Sequence, residues 1–119
     1  MKFYDLDAWK SANEFAVLIY KMTDNFPREE KFGLVDQLRR PSSSVGANIA
    51  EGFGRFHFAD KSRFYYQARG SVKEVQIFLL LALDLKLIDK NMKDSAREQS
   101  KRVEMLLSGL LRSTNQKIK

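Results

Sequence analysis

The stretch VDQLRRPSSSVGANIAEGFGRF, residues 35–56, decides the fold. Within it Val35, Leu38, Ser42, Val45, Ile49, Gly52 and Phe56 recur at alternating spacings of three and four, the repeat of one face of an α-helix. That phase passes through Pro41 unbroken, which favours one continuous, kinked helix. Proline there removes the bond from its own nitrogen to the Gln37 carbonyl, a loss of about 3 kcal/mol that packing has to offset. The alternative is two shorter helices, with Pro41 opening the second. The Ser, Gly and Ala content lets a second backbone come close, and Gly70-Ser71 offers a matching small patch. A tight helix crossing is therefore expected near Ala47, Ala50 and Gly70.

Upstream, Trp9, Ala12, Ala16 and Ile19, with Phe15, Leu18 and Met22 on an adjacent line, predict an amphipathic helix over residues 5–23. Asn25-Phe26-Pro27 breaks it. Pro27 followed by Arg28-Glu29-Glu30 suits the first turn of the next helix, since proline needs no donor there and acids favour the positive end. Downstream, Gly52, Gly54 and His57 mark a turn, with Asp60 or Ser62 as caps for a third helix. That helix carries one stripe of Phe64, Ala68, Ser71, Val75, Phe78, Ala82 and Leu85 and a second of Tyr65, Val72, Leu79 and Lys86. Leu87-Ile88-Asp89 ends it, and Asp89 is placed to cap a fourth helix in which Met92, Ala96, Gln99, Val103, Leu106 and Leu110 repeat, up to about residue 115. Short connections between long helices force antiparallel neighbours. The expectation is an all-α chain, one domain over residues 1–119, folded as an antiparallel up-down-up-down left-handed four-helix bundle.

Composition agrees with a folded globule: 119 residues, 44% hydrophobic and 30% charged, with two prolines. There is no cysteine, which excludes a disulfide scaffold, a thiolate metal site and a Cys nucleophile. The first residues carry acids and no apolar core of a signal peptide, so a cytoplasmic location is expected. The longest apolar run, 77–83, is far short of the roughly 20 residues that span a bilayer. Ile77, Leu80, Leu81 and Leu83 nevertheless spread apolar surface around the third helix beyond the third to half of its circumference that one bundle hides. Burial against another subunit is expected, with Leu79, Leu80 and Leu83 at the contact.

Chemistry is sparse. Asn48, Glu51, Arg69 and Glu74 are the polar residues nearest the expected crossing, and a satisfied network fixing helix register is the simplest role for them. A carboxylate pair or a carboxylate-bridged metal site needs more inward acids or a Glu-x-x-His pair, and the single histidine, His57, lies in a turn. Ser42, Ser43 and Ser44 have no assignable base, and Gly52-Phe53-Gly54 completes no nucleotide-binding pattern. No catalytic residue, cofactor, metal or small-molecule substrate is expected. The net charge of +6 is unevenly placed. Arg39, Arg40, Arg55, Lys61, Arg63, Arg69 and Lys73 crowd the middle, and Arg97, Lys101, Arg102, Arg112, Lys117 and Lys119 the end, with slightly acidic stretches between. Phe56, Phe58, Phe64, Tyr65 and Tyr66 interleave with the middle block, a pattern suited to phosphate contacts plus base stacking, although core packing explains those rings equally well.

Asn48-Ile49-Ala50-Glu51-Gly52, Gly54-Arg55, Phe64, Ala68-Arg69-Gly70-Ser71 and Glu74 together resemble the bacterial four-helix-bundle family of 23S rRNA intervening-sequence proteins. Trp9, the run Gln37-Leu38-Arg39-Arg40 and the ending Leu106-Leu107-Ser108-Gly109-Leu110 extend the resemblance over nearly the whole chain. That family is similar to the accessory variability proteins of diversity-generating retroelements, basic bundles that form barrel-like homopentamers and bind nucleic acid and a reverse transcriptase. The resemblance implies a ring-like homo-oligomer, with a homopentamer favoured. Two functions remain open: a non-catalytic RNA- or DNA-binding accessory protein, contacting phosphates through the middle cations together with Lys101 and Arg102, or a scaffold whose partner is another polypeptide.

Overall fold

In the computed structural model, which describes residues 1–118, the long elements are four helices: α1 (Asp7–Thr23), α2 (Leu34–Gly54), α3 (Phe58–Asp84) and α4 (Lys90–Asn115). Among the described residues there is no strand, and no helix is long and apolar enough to cross a membrane. Each helix packs against two others, α2 on α1 and α3, and α4 on α3 and α1, within an envelope of 48 × 23 × 22 Å. A helix of 26 residues rises about 39 Å, so the long axis is set by α3 and α4.

The chain enters through a 3-10 turn, Phe3–Asp5, in which the Lys2 amide donates to the Asp5 carboxylate at 2.8 Å; α1 therefore begins at Asp7 and not at residue 5. Its buried row is Ala8, Ala12, Phe15, Ile19 and Met22, which runs between the two lines read from the sequence. Thr23 closes α1 by donating its hydroxyl to the Ile19 carbonyl at 2.8 Å.

The second helix starts later than expected. Arg28–Glu30 forms only a 3-10 turn, because Gly33 adopts φ −105°, ψ −110° and interrupts the helical path. The acids still serve the positive end of α2, since Glu30 accepts from the Leu34 amide at 3.2 Å. From Leu34 the helix runs without interruption through Pro41, which is buried with Leu38, Ser42, Val45, Ile49 and Gly52. Burying that row offsets the missing bond, and Gln37, whose carbonyl loses its donor, is exposed to water. Ser42 and Ser43 turn their hydroxyls back onto the Arg39 carbonyl at 2.8 and 3.1 Å, which explains the serines as local back-bonding groups.

Asp60 and Ser62 do not cap α3. The cap position is His57 in extended conformation, so the helix opens at Phe58. At its far end the Leu87 amide reaches the Ala82 carbonyl and the Lys86 amide the Leu83 carbonyl, both at 2.9 Å, a Schellman closure with Lys86 in the left-handed region at φ 62°. Asp89 caps α4 as expected, accepting from the Met92 amide at 2.8 Å. The buried row of α4 is Ala96, Ser100, Val103, Leu107 and Leu111, so Gln99, Leu106 and Leu110 sit at its margin. Ser100 is the reason: fully buried, it donates to the Arg97 carbonyl at 2.6 Å and accepts from Gln76 of α3 at 2.9 Å.

The close approach of α2 and α3 is not at Ala47, Ala50 and Gly70. Ala47 and Gly70 are exposed, and a Cβ on Gly70 would meet nothing within 4 Å. The contact lies instead at Gly52, where a Cβ would come within 2.8 Å of the Tyr65 ring and 3.1 Å of the Lys61 carbonyl oxygen. Here a residue with no side chain is required by space alone.

Candidate nucleic-acid interface

The cations expected to contact phosphates divide into three groups, because the helices that carry them are long. Arg40 and Arg55 are fifteen positions apart on α2, a rise of roughly 22 Å. Arg39 is turned inward: its Nε donates to Thr23 Oγ1 at 2.7 Å, its Nη2 donates to Asp24 at 2.8 Å and to the Tyr20 carbonyl, and the guanidinium lies 4.6 Å from the centre of the Tyr20 ring. It ties α2 to the end of α1. Arg40 is exposed and pairs with Asp36 at 2.6 Å.

A second group lines α3 and α4. Lys73, Lys93, Arg97 and Lys101 surround a shallow groove of about 400 Å3 floored by Ile77, Leu79 and Leu80. Lys73 sits 3.5 Å from Glu104, which accepts from Gln76 at 2.9 Å. This Gln76–Ser100–Glu104 set is the polar layer that fixes helix register, together with Ser62 donating to Asn115 at 2.6 Å. The residues expected in that role do something else. Asn48 bonds only within its own helix, to Ser44, and Glu51 pairs with Arg55 at 2.8 Å on the surface. Arg69 and Glu74 are exposed on α3, while Ser71 is buried and forms part of the core face. Arg102 is exposed on α4, with no ion-pair partner among the described residues.

The third group is the one in which cations and aromatic rings meet. Where α2 ends and α3 begins, Arg55 and Arg63 both lie over the Phe64 ring, 4.7 and 4.4 Å from its centre. Each also has a surface acid, Glu51 at 2.8 Å and Asp60 at 3.9 Å. Arg69 lies over Tyr66 at 4.9 Å, one turn further along α3. Lys117, from the end of the chain, stands 5.3 Å from the Phe58 ring. Phe56 stands out from the link at 88% exposure, edge-on to His57. Its helical phase placed it on the buried row of α2, but α2 stops at Gly54 and the phase ends with it.

Lys61 belongs to this corner in a different capacity. Its ammonium donates to the Phe53 carbonyl at 2.7 Å, satisfying the C-terminal end of α2. Burial, and then the positive charge of Lys117, holds its pKa below the ordinary lysine range. Lys61 therefore braces the corner rather than projecting from it.

The expected self-contact also needs correction. Leu79 is 2% exposed, enclosed in the chain's own core, and Leu83 is half-buried against that core. Of the three leucines only Leu80 faces outward, and the exposed apolar strip of α3 is Ile77, Leu80, Leu81 and Leu85. Among the described residues no three His, Asp or Glu side chains gather as a metal-ligand group.

These features define a class: a small, basic, four-helix all-α protein with an aromatic and cationic corner and a bare apolar strip. The family model for the 23S rRNA-intervening sequence protein matches residues 4–109, and the chain belongs to that family. Among solved structures it is similar to a protein of unknown function from the S23 ribosomal protein family of Bacteroides thetaiotaomicron VPI-5482, with a TM-score of 0.78 and 26% identity over 87% of this chain and 97% of that one. No curated protein matches the chain.

Proposed function

We propose that this chain is a non-catalytic, self-associating accessory protein that binds the phosphate backbone of RNA or DNA. The observation that carries the reading is the convergence of Arg55 and Arg63 on Phe64, with Phe56 and Phe58 on the outside of the same corner. The one Phe64 ring holds both guanidinium groups while the two arginine side chains stay partly exposed, the arrangement that suits phosphate oxygens. Arg40, Arg69, Lys73, Lys101 and Arg102 supply weaker, more distant charge, whereas Arg39 and Lys61 hold helices together.

The four helices are read as one domain, an antiparallel up-down-up-down left-handed bundle. Supporting this, Trp9 near the start of α1 approaches Gly46 of α2, while the end of α1 meets Arg39; the end of α2 meets Lys61 at the start of α3; and the start of α3 meets Asn115 at the end of α4. The strip Ile77–Leu81–Leu85 with Leu80 is the surface through which copies associate into a ring, a pentamer by resemblance, and in a ring each corner is repeated. A cytoplasmic location is part of the same reading.

Fluorescence anisotropy with a structured RNA tests the reading. Binding at about 50 mM salt that weakens steeply as salt rises supports it, and absence of binding at that salt removes it. Size exclusion coupled to light scattering tests the ring, and a monomer at micromolar concentration removes that part. A polypeptide partner is the second reading, favoured by the apolar floor of the α3–α4 groove between Lys73, Lys93, Arg97 and Lys101. A partner retained in a pull-down after nuclease treatment would support it.

A further inference from the structure

Phe56 has no role in the fold. At 88% exposure it contributes almost nothing to the core, and it sits in a link of three residues, Arg55 to His57, between two helix ends. Both sides of the link are pinned. The Arg55 amide donates to the Gly52 carbonyl at 3.2 Å, the Lys61 amide donates to the His57 carbonyl at 3.0 Å, and the Lys61 ammonium donates to the Phe53 carbonyl at 2.7 Å. Gly52 is wedged against Tyr65 a turn away. Arg55 and His57 are extended, and the ring between them stands in solvent. Its aromatic neighbour is His57, edge-on at 5.1 Å and 90°, which leaves a face of Phe56 open.

The two guanidinium groups on Phe64 belong to the same corner, Arg55 as the residue before Phe56 and Arg63 on the opening turns of α3. Their acid partners are exposed residues three and four positions away, pairs weak enough for a phosphate to replace. A planar apolar face in the same corner as paired phosphate donors is complementary to a nucleotide whose base is free. In a duplex the base faces are already stacked and only phosphates are on offer, whereas in a single strand or loop both are available.

We infer that the α2–α3 corner is a site for unpaired nucleotides, in which a base stacks on Phe56 while Arg55 and Arg63 hold the adjoining phosphate. This rests on the nucleic-acid reading above and adds to it a preference for single-stranded over duplex segments. Because the stack uses the face of the base and no sugar hydroxyl, RNA and DNA single strands are bound alike.

The test is anisotropy at fixed low salt with a labelled single-stranded RNA, the same sequence as DNA, and the corresponding duplex. For Phe56→Ala the affinity for either single strand should drop roughly tenfold or more, the loss typical of one stacked base, with duplex affinity unchanged within about twofold. Phe56→Trp should keep single-strand affinity, and its indole fluorescence should be quenched on binding. Phe32→Ala is the comparison: that ring is 89% exposed in the α1–α2 link and touches none of the corner residues, so it should leave binding unchanged. Phe56 lies outside the core, so the variants keep the wild-type helical circular dichroism. If single strand and duplex bind with the same affinity and Phe56→Ala alters neither, or if Phe32→Ala weakens binding as much as Phe56→Ala, the stacking site is refuted while backbone binding stands. If neither form binds, both proposals fall.

Discussion

Gly52→Ala and Gly70→Ala are the same substitution inside a helix and should act in opposite directions. Helix propensity favours alanine by about 1 kcal/mol at either site. At Gly70 a new methyl meets nothing within 4 Å, so that gain is free of steric opposition. At Gly52 the methyl would lie 2.8 Å from Tyr65 Cε1, 3.1 Å from Phe64 Cβ and 3.1 Å from the Lys61 carbonyl oxygen. None of these yields easily: Tyr65 is buried, Phe64 Cβ is fixed by its own backbone, and the third contact is backbone itself. Overpacking of this sort costs about 2–3 kcal/mol, so Gly52→Ala should be net destabilising by about 1–2 kcal/mol. For a chain of this length that is a fall in Tm of roughly 4–8 °C, against a rise of a few degrees for Gly70→Ala. Thermal and urea unfolding followed by circular dichroism measures both. A Gly52→Ala protein as stable as wild type would refute the crossing at Gly52, and a destabilised Gly70→Ala would mean that another surface packs over α3 there.

Lys86→Gly should stabilise by about 1 kcal/mol, because glycine enters the left-handed region at φ 62° without the strain a side chain brings; urea midpoints check it. Asp89→Ala should destabilise by about 1 kcal/mol through loss of the cap on the Met92 amide, read in the same assay. Arg39→Met removes bonds to Thr23, Asp24 and the Tyr20 carbonyl, so unfolding should shift down by about 1–2 kcal/mol while nucleic-acid affinity, read by anisotropy, stays within about twofold. Burial pushes the Tyr65 phenol above its ordinary value of 10.0, so the unfolded chain loses that proton first. Its contribution to stability is intact below pH 10.0 and is lost as pH rises through the higher folded value; urea unfolding across pH 9 to 11 should show a shallower decline in Tyr65→Phe than in wild type.

Period and punctuation were enough to read four helices, the continuity of α2 through Pro41 and the Asp89 cap. They failed where a local backbone choice or a buried polar group carries the information. Gly33 takes a conformation that no spacing announces, so the first turn after Pro27 stayed separate from α2. Ser100 looks like a surface residue, yet its hydroxyl is satisfied twice inside the bundle, which rotates the buried row of α4 away from Gln99 and Leu106. Gly70 and Gly52 are indistinguishable as letters, and only the partner helix tells them apart. The candidate interface was half legible. The mixture of rings and cations between residues 53 and 69 was a usable signal, but the inward use of Arg39 and Lys61 depends on which carbonyls and acids lie opposite. Lys117 over Phe58 joins the segment after α4 to the start of α3, two stretches that no linear pattern connects.

The three-residue link between α2 and α3 also has a bearing on the order of events during folding. It joins the two helices that pack most extensively, so their pairing sacrifices little chain freedom, whereas α1 and α4 must close a much longer loop to meet. This arrangement predicts that the α2–α3 hairpin assembles early: disturbing the seam at Gly52 and Tyr65 slows refolding, and disturbing the α1–α4 seam mainly hastens unfolding. Stopped-flow kinetics would therefore see the loop as a pacemaker of the fold as well as a mount for Phe56.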